Sequence, residues 1–218
     1  MFGTNPKLAP EKSNGDFLQI VSIFHTIQAE GPYAGWPAIF IRLGGCNLSC
    51  NFCDTEFDIY TKVALKDIIE ELSKYPNTSL VVITGGEPFR QSIGPLCRQC
   101  IDLGYKVQIE SNGTIYREVP QEVEVVCSPK RLGGGRFHIA NRMYPHIKAF
   151  KFLVSTTRPF YNTIPNIVPM ALKDMVYIQP MDEMDKKLNA DNINLAVRIV
   201  MESGYKLSLQ IHKMIGLP

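Results

Sequence analysis

Three cysteines fall within eight positions, Cys46-Asn47-Leu48-Ser49-Cys50-Asn51-Phe52-Cys53, spaced C-x3-C-x2-C, with Asp54-Thr55 directly behind. Crowding of this kind, in a chain long enough to build its own core, reads as metal or cluster ligation rather than as disulfide bonding. A [4Fe-4S] cluster takes four thiolates, one for each iron. With three, one iron keeps an open position where a small molecule can bind. A structural zinc site uses two C-x2-C pairs or a cysteine and histidine mixture. Only Cys50 and Cys53 form such a pair here, and no histidine lies in the loop. Zinc and reduced free thiols are the alternatives to a cluster.

Other residues could add chemistry. Thr84-Gly85-Gly86-Glu87-Pro88 follows the apolar run Leu80-Val81-Val82-Ile83. Adjacent glycines let a backbone approach a ligand closely, and acceptors beside them can face an ammonium, although a bare Gly-Gly is more often a turn. Arg42 sits within an apolar strand; facing inward it needs an anionic partner, facing outward it is a solvated side chain. Glu30 is a lone carboxylate in the turn-rich stretch from Thr26 to Pro32. Cys97 and Cys100, at helical spacing, and Cys127, in an apolar strand, read as buried free thiols, with a second metal site as the alternative. The histidines, His25, His138, His146 and His212, form no local ligand pattern and are read as structural.

The elements that must position these residues alternate between two periodicities. Leu18 to Phe24, Ala38 to Leu43, Leu80 to Ile83, Tyr105 to Glu110, Glu122 to Cys127, Ile147 to Val154, Met175 to Ile178 and Lys206 to Ile211 read as strands. Ala64 to Tyr75, about Ser92 to Leu103, and Asn192 to Glu202 carry helical spacing. This beat implies a largely parallel sheet with helical crossovers, broken by a glycine-rich stretch at Arg131 to Arg142 and a loop-like one at Arg158 to Pro169. The fold class is α/β. In closed or partly closed parallel barrels chemistry gathers at the C-terminal strand ends. There lie Thr84 to Glu87, Glu110 to Asn112, Ser128 to Lys130 and Gln179 to Asp182.

The chain has 218 residues, 45% of them hydrophobic and 20% charged, with a formal net charge of +2. That suits one folded domain and argues against a nucleic-acid footprint. Residues 1–16 read as a flexible N-terminal tail and 17–218 as one domain. Neither a signal peptide nor a membrane span is visible, so a cytoplasmic protein is expected.

Together, C-x3-C-x2-C with Phe52 before the last cysteine and Gly85-Gly86-Glu87 resemble the radical S-adenosylmethionine (SAM) superfamily. Further segments narrow the likeness: Thr26-Ile27-Gln28-Ala29-Glu30-Gly31, Phe40 to Leu48, Cys53-Asp54-Thr55, Ser128-Pro129-Lys130 and Gln210-Ile211-His212-Lys213. In order, from about Leu18 to Pro218, they resemble the 7-carboxy-7-deazaguanine synthases of queuosine biosynthesis.

That resemblance implies an incomplete (partial) TIM-type β/α barrel and a carbon–nitrogen lyase. It would convert 6-carboxy-5,6,7,8-tetrahydropterin to 7-carboxy-7-deazaguanine with loss of ammonia, using a [4Fe-4S] cluster, SAM and Mg2+. Cys46, Cys50 and Cys53 would hold the cluster and Thr55 the Mg2+. Ile27, Gln28, Ala29, Glu30, Arg42, Thr84 and the terminal Pro218 would contact substrate, with Arg42 on its carboxylate. Phe52, Cys53, Asp54, Gly86, Glu87, Ser128, Pro129, Lys130, Gln179, Pro180, Met181 and Asp182 would form the SAM pocket. No catalytic side chain beyond the cluster and cofactor is implied. An electron donor such as flavodoxin or ferredoxin and a homodimer follow by the same analogy, with no nucleic-acid or membrane partner. Ala29 departs from the glycine common there, a change compatible with a negative φ. A radical SAM activase of a partner protein and a non-catalytic metal-stabilised binding module are the rival readings.

Overall fold

In the computed structural model, residues 3–217 are described. The strands are β1 (Phe17–Ile27), β2 (Pro37–Leu43), β3 (Thr61–Ala64), β4 (Leu80–Gly85), β5 (Lys106–Ser111), β6 (Glu124–Cys127), β7 (Ile147–Val154), β8 (Val176–Pro180) and β9 (Lys206–Leu207). The helices are α1 (Leu65–Ser73), α2 (Gly94–Asp102), α3 (Lys186–Ser203) and α4 (Ile211–Ile215). The strands form one sheet in the order β3-β1-β2-β4-β5-β6-β7-β8-β9. From β2 onward every pairing is parallel; β1 runs antiparallel to both β2 and β3. With β3 and β9 at its two edges, the sheet is the partial barrel expected from the sequence.

Side chains alternate across a strand, and this two-residue period sorts the chain into an outer core and an inner site. Ile39, Ile41 and Leu43 of β2, Val81 and Ile83 of β4, Val107 and Ile109 of β5, and Phe150, Phe152 and Val154 of β7 join one outer cluster with residues of the helices. Leu65, Ile68 and Leu72 of α1 pack there, as do Leu96, Cys97 and Cys100 of α2. Each fully buried aliphatic side chain contributes about 1.5–3 kcal/mol. The intervening positions point inward. At the N-terminal strand ends they are apolar and fill the interior: Ala38, Leu80 and Val82 form one small cluster, Val126, Ala149 and Tyr177 another. Further along the strands the inner positions turn polar: Arg42, Thr84, Glu110, Ser128, Lys151 and Gln179. The barrel is plugged below and functional above.

The crossovers after β6 and β7, where the sequence breaks its helical beat, carry short 3-10 turns, Asn141–His146 and Met170–Met175, and no α-helix. Both regions are rich in Gly or Pro, which disfavour a helix interior. The final strand is only Lys206–Leu207. Ser208 ends it by turning its hydroxyl inward, donating to Gln179 Oε1 at 3.2 Å and accepting from Gly31 N at 3.1 Å. Ile211, expected to close that strand, starts α4 instead. The α3 helix begins earlier than its apolar spacing suggests because Asp185 caps it, accepting from the amides of Lys187 and Leu188 at 2.9 Å.

Within the stretch 3–16, part of the expected loose tail, residues near Asn5 and Leu8 lie against the cysteine loop. Asn5 is buried, Leu8 N donates to Cys46 O at 2.7 Å, and Ser49 Oγ donates to Asn5 O at 2.8 Å.

Candidate active site

Inner-face polar residues and the cysteine loop enclose a cavity of about 280 Å³ at the C-terminal strand ends. Cys46, Cys50 and Cys53 all line it and all are free thiols. Burial pushes the Cys46 thiol up to about 12 and raises the other two. Thiols held neutral by desolvation become thiolates when a metal supplies the compensating charge. Cys46 Sγ also accepts from Leu48 N at 3.4 Å and Asn112 Nδ2 at 3.9 Å, donors suited to a cluster sulfur. Among the described residues no three Cys, His, Asp or Glu side chains converge as a single-ion site requires. The donor set, three thiols on one loop, fits a cluster, whose ligands bind separate irons.

The glycine element packs directly onto this loop. A Cβ on Gly86 would lie 2.0 Å from Gly45 O, and one on Gly85 would lie 2.1 Å from Leu43 O. Gly85 also has φ +127°, a conformation open to glycine but strained for other residues. The loops are joined by Gly86 N to Leu43 O at 3.2 Å and Glu87 N to Gly45 O at 3.0 Å. The glycines are therefore required first by the protein's own backbone, which brings the two motifs together.

Glu87 faces away from the cavity. Its carboxylate accepts from Phe89 N at 3.1 Å, Ser111 Oγ at 2.8 Å and Asn112 N at 2.8 Å. Burial pushes it up to about 7 against those hydrogen bonds. Its place is to fasten the ends of β4 and β5 rather than to line the SAM pocket. Pro129 also lies outside the cavity lining, whereas Ser128 and Lys130 are in it. Lys130 Nζ donates to Ser128 O at 2.7 Å and Ser128 Oγ at 2.6 Å.

Gln179, Pro180, Met181 and Asp182 line the same wall, with Phe52, Asp54, Thr55 and Gly86. Asp182 pairs with Lys213 of α4 at 2.7 Å. Lys213 reaches Asp54 too, at 3.0 Å. Thr55 Oγ1 lies 3.4 Å from Asp54 Oδ1, giving a pair of oxygens of the kind Mg2+ prefers.

Ile27, Gln28, Ala29, Glu30, Arg42 and Thr84 all line the cavity. Arg42 and Thr84 are register partners on β2 and β4. Among the described residues, buried Arg42 Nε has no hydrogen-bond partner. Its guanidinium lies over the Phe24 ring, 5.5 Å from the centroid. Burial lowers the Arg42 pKa, offset in part by Asp54 and Cys53. A buried cation with an orphaned donor, aimed into a cavity, calls for an anionic ligand. Ala29 is buried and is not among the positive-φ residues, so its methyl group is accommodated. Pro218 lies outside the described residues.

Lys151 lines the cavity although sequence reasoning did not name it; Glu110 and Asn112 line it too, named from the sequence only as a polar cluster at a strand end, as do Gln210 and His212, named only within a segment of the resemblance. His212, read as structural, is held below its ordinary pKa by burial. The signal available was positional: Glu110 and Lys151 occupy inward positions near strand ends.

Comparison with known proteins agrees with this geometry. The Radical SAM superfamily profile matches residues 40–148, so fold and site together define a radical SAM protein. Two relatives named 7-carboxy-7-deazaguanine synthase are similar over the whole chain. That of Rickettsia prowazekii is 48% identical, covering 100% of this chain and 96% of its own. That of Rhodospirillum rubrum is 34% identical with 100% of both covered. The crystal structure of QueE from Escherichia coli superposes with a TM-score of 0.70 at 25% identity, covering 88% of this chain and 93% of that one. The chain belongs to the 7-carboxy-7-deazaguanine synthase family.

Proposed function

We infer that this chain converts 6-carboxy-5,6,7,8-tetrahydropterin to 7-carboxy-7-deazaguanine with release of ammonia, as a radical SAM lyase. The observation that carries the substrate reading is Arg42, set into the cavity wall beside Thr84, whose buried Nε has no hydrogen-bond partner among the described residues. A substrate carboxylate supplies the missing anion.

Cys46, Cys50 and Cys53 would hold the cluster, Phe52, Asp54, Gly86, Ser128, Lys130 and Gln179 to Asp182 would bind SAM, and Thr55 would hold Mg2+. Bound together, the cluster and SAM would supply the one-electron chemistry that removes a hydrogen atom from the pterin. The chain's own residues do the rest. Arg42 fixes the carboxylate end, while Gln28 and Glu30 meet the ring edge. Phe24, Phe40, Phe57 and Met181 line the space between, excluding water and competing hydrogen donors.

A small-molecule substrate accounts for the enclosed cavity; activation of a partner protein or a non-catalytic module leaves Arg42 unexplained. The remaining parts of the reading are a cytoplasmic setting, a flavodoxin- or ferredoxin-type donor and a homodimer. Among the described residues, no helix is long and apolar enough to cross a membrane. Anaerobic reconstitution with iron and sulfide, followed by SAM, Mg2+, reductant and carboxytetrahydropterin, should yield the deazaguanine. SAM cleavage with no deazaguanine would contradict the reading.

A further inference from the structure

Lys151, on the inner face of β7, places its ammonium 2.5 Å from Glu30 Oε2 and 2.7 Å from Glu110 Oε2. The three side chains are 8%, 15% and 14% exposed, so little water screens them. Glu110 Oε1 is held as well, by Gln108 Nε2 at 2.8 Å and Gln28 Nε2 at 3.4 Å. The trio joins β7, β5 and the turn after β1, and all three members line the cavity.

Two buried carboxylates around one ammonium repel each other and are poorly solvated, and the shared cation offsets both costs. Burial raises the Glu30 pKa, but the Lys151 charge and hydrogen bond bring it below its ordinary value, and the trio carries one net negative charge. Arg42 stands two strand positions away from Glu110, across β4, about 10 Å along the wall at ~4.8 Å per strand. The cavity wall thus carries a lone guanidinium and a net-negative trio about 10 Å apart. A buried ion triad is seldom the most stable filling for a protein interior, which argues for a role beyond packing.

We propose that Lys151 is a positioning and specificity residue: it holds Glu30 and Glu110 as a fixed, ionised pair of hydrogen-bond acceptors that reads the N–H-rich edge of a heterocycle bound in the cavity. This rests on the pterin reading above, and deepens it by setting the direction of the substrate. The carboxylate end lies on Arg42 and the amino-pyrimidinone edge, with its ring N–H and amine donors, lies on the carboxylates.

The other charged groups facing the trio are Lys130, from the loop after β6, and His212, from α4. Burial holds His212 and Lys130 each below its usual range, so the wild-type profile is the reference against which a change in the variant reports the trio.

The test measures the dissociation constant of carboxytetrahydropterin by equilibrium dialysis, with SAM bound and no reductant, from about pH 7 to 9. Wild-type affinity should be flat. Lys151→Met should weaken binding about tenfold or more at pH 7, with recovery as pH rises and the carboxylates ionise. Lys151→Arg, which keeps the charge, should restore a flat profile. If Lys151→Met fails to fold, Lys151→Met with Glu110→Gln removes one charge of each sign and decides the matter, again with weakened binding expected. Wild-type affinity and a flat profile in Lys151→Met or in the double variant would overturn the role of Lys151. Failure of the wild-type protein to bind the pterin would instead overturn the functional reading.

Discussion

The side-chain amide of Asn5 donates to the carbonyl oxygen of Thr55 at 2.8 Å, while its own oxygen accepts from Phe57 N at 3.1 Å. Thr55 is the residue proposed to hold Mg2+, and its carbonyl also receives the Cys53 thiol at 3.3 Å. One buried side chain near the start of the chain therefore fastens the far end of the cysteine loop.

Asn5→Ala strips partners from two largely buried backbone groups, a loss of about 1–3 kcal/mol felt at the loop. Reconstituted Asn5→Ala should lose iron to a chelator several-fold faster than wild type while its helical circular dichroism is retained. Asn5→Asp, which keeps the acceptor for Phe57 N, should fall between the two. Equal iron-release rates would show that the segment before Phe17 does not support the loop.

Gly86→Ala should be more damaging than an ordinary glycine substitution, because the added methyl group meets Gly45 O at 2.0 Å. Relief requires the cysteine loop to separate from the glycine element, at about 1–3 kcal/mol for overpacking. Cluster absorbance should drop and SAM binding, measured by dialysis, should be lost. Gly104→Ala is a control for open space: nothing lies within 4 Å of a Cβ there, although its φ of +87° carries its own strain.

Arg42→Met should separate substrate binding from stability. Loss of a charge-assisted bond to the substrate carboxylate, about 1.5–3 kcal/mol, raises KM about 10- to 150-fold. The melting temperature should hold or rise, since the substitution removes a buried Nε that has no partner among the described residues. A lowered melting temperature with unchanged KM would place Arg42 in the scaffold.

Although burial opposes its charge, Asp182 is held down at about 2 by hydrogen bonds from Lys213, Met184 N and Asn189. A depressed carboxylate contributes stability above its unfolded value of 3.8, and that contribution is lost as pH falls from 3.8 through about 2. Lys213→Met should therefore shift the acid release of α4, followed by amide hydrogen exchange, to higher pH. An unshifted midpoint would show that the Asp182 to Lys213 contact does not hold α4 to the site.

What could be read in the sequence was what is local. Three thiols on one loop, two glycines after an apolar strand and an arginine inside another each announce themselves within a few residues. The outer and inner faces follow from strand parity, as Ile39, Ile41 and Leu43 against Ala38, Phe40 and Arg42 illustrate. The Lys151 trio could not be read, because its partners lie 121 and 41 residues away and nothing in Lys148 to Val154 distinguishes an inward lysine from an outward one. Asn5 was hidden for the same reason, its partners being 50 and 52 positions on. The helix α4 was masked by the alternation of Leu207, Leu209 and Ile211, which suits a strand until Ser208 turns inward to Gly31 and Gln179.

The central claim is that the cavity orients a carboxylated pterin between Arg42 and the acidic trio. The most direct measurement compares the affinities of carboxytetrahydropterin and tetrahydropterin lacking the carboxylate, on wild type and on Arg42→Met. The account predicts that removing the carboxylate weakens wild-type binding by about 10- to 150-fold and leaves Arg42→Met binding unchanged, because the two deletions remove the same interaction. Independent, additive losses in the two proteins would contradict it.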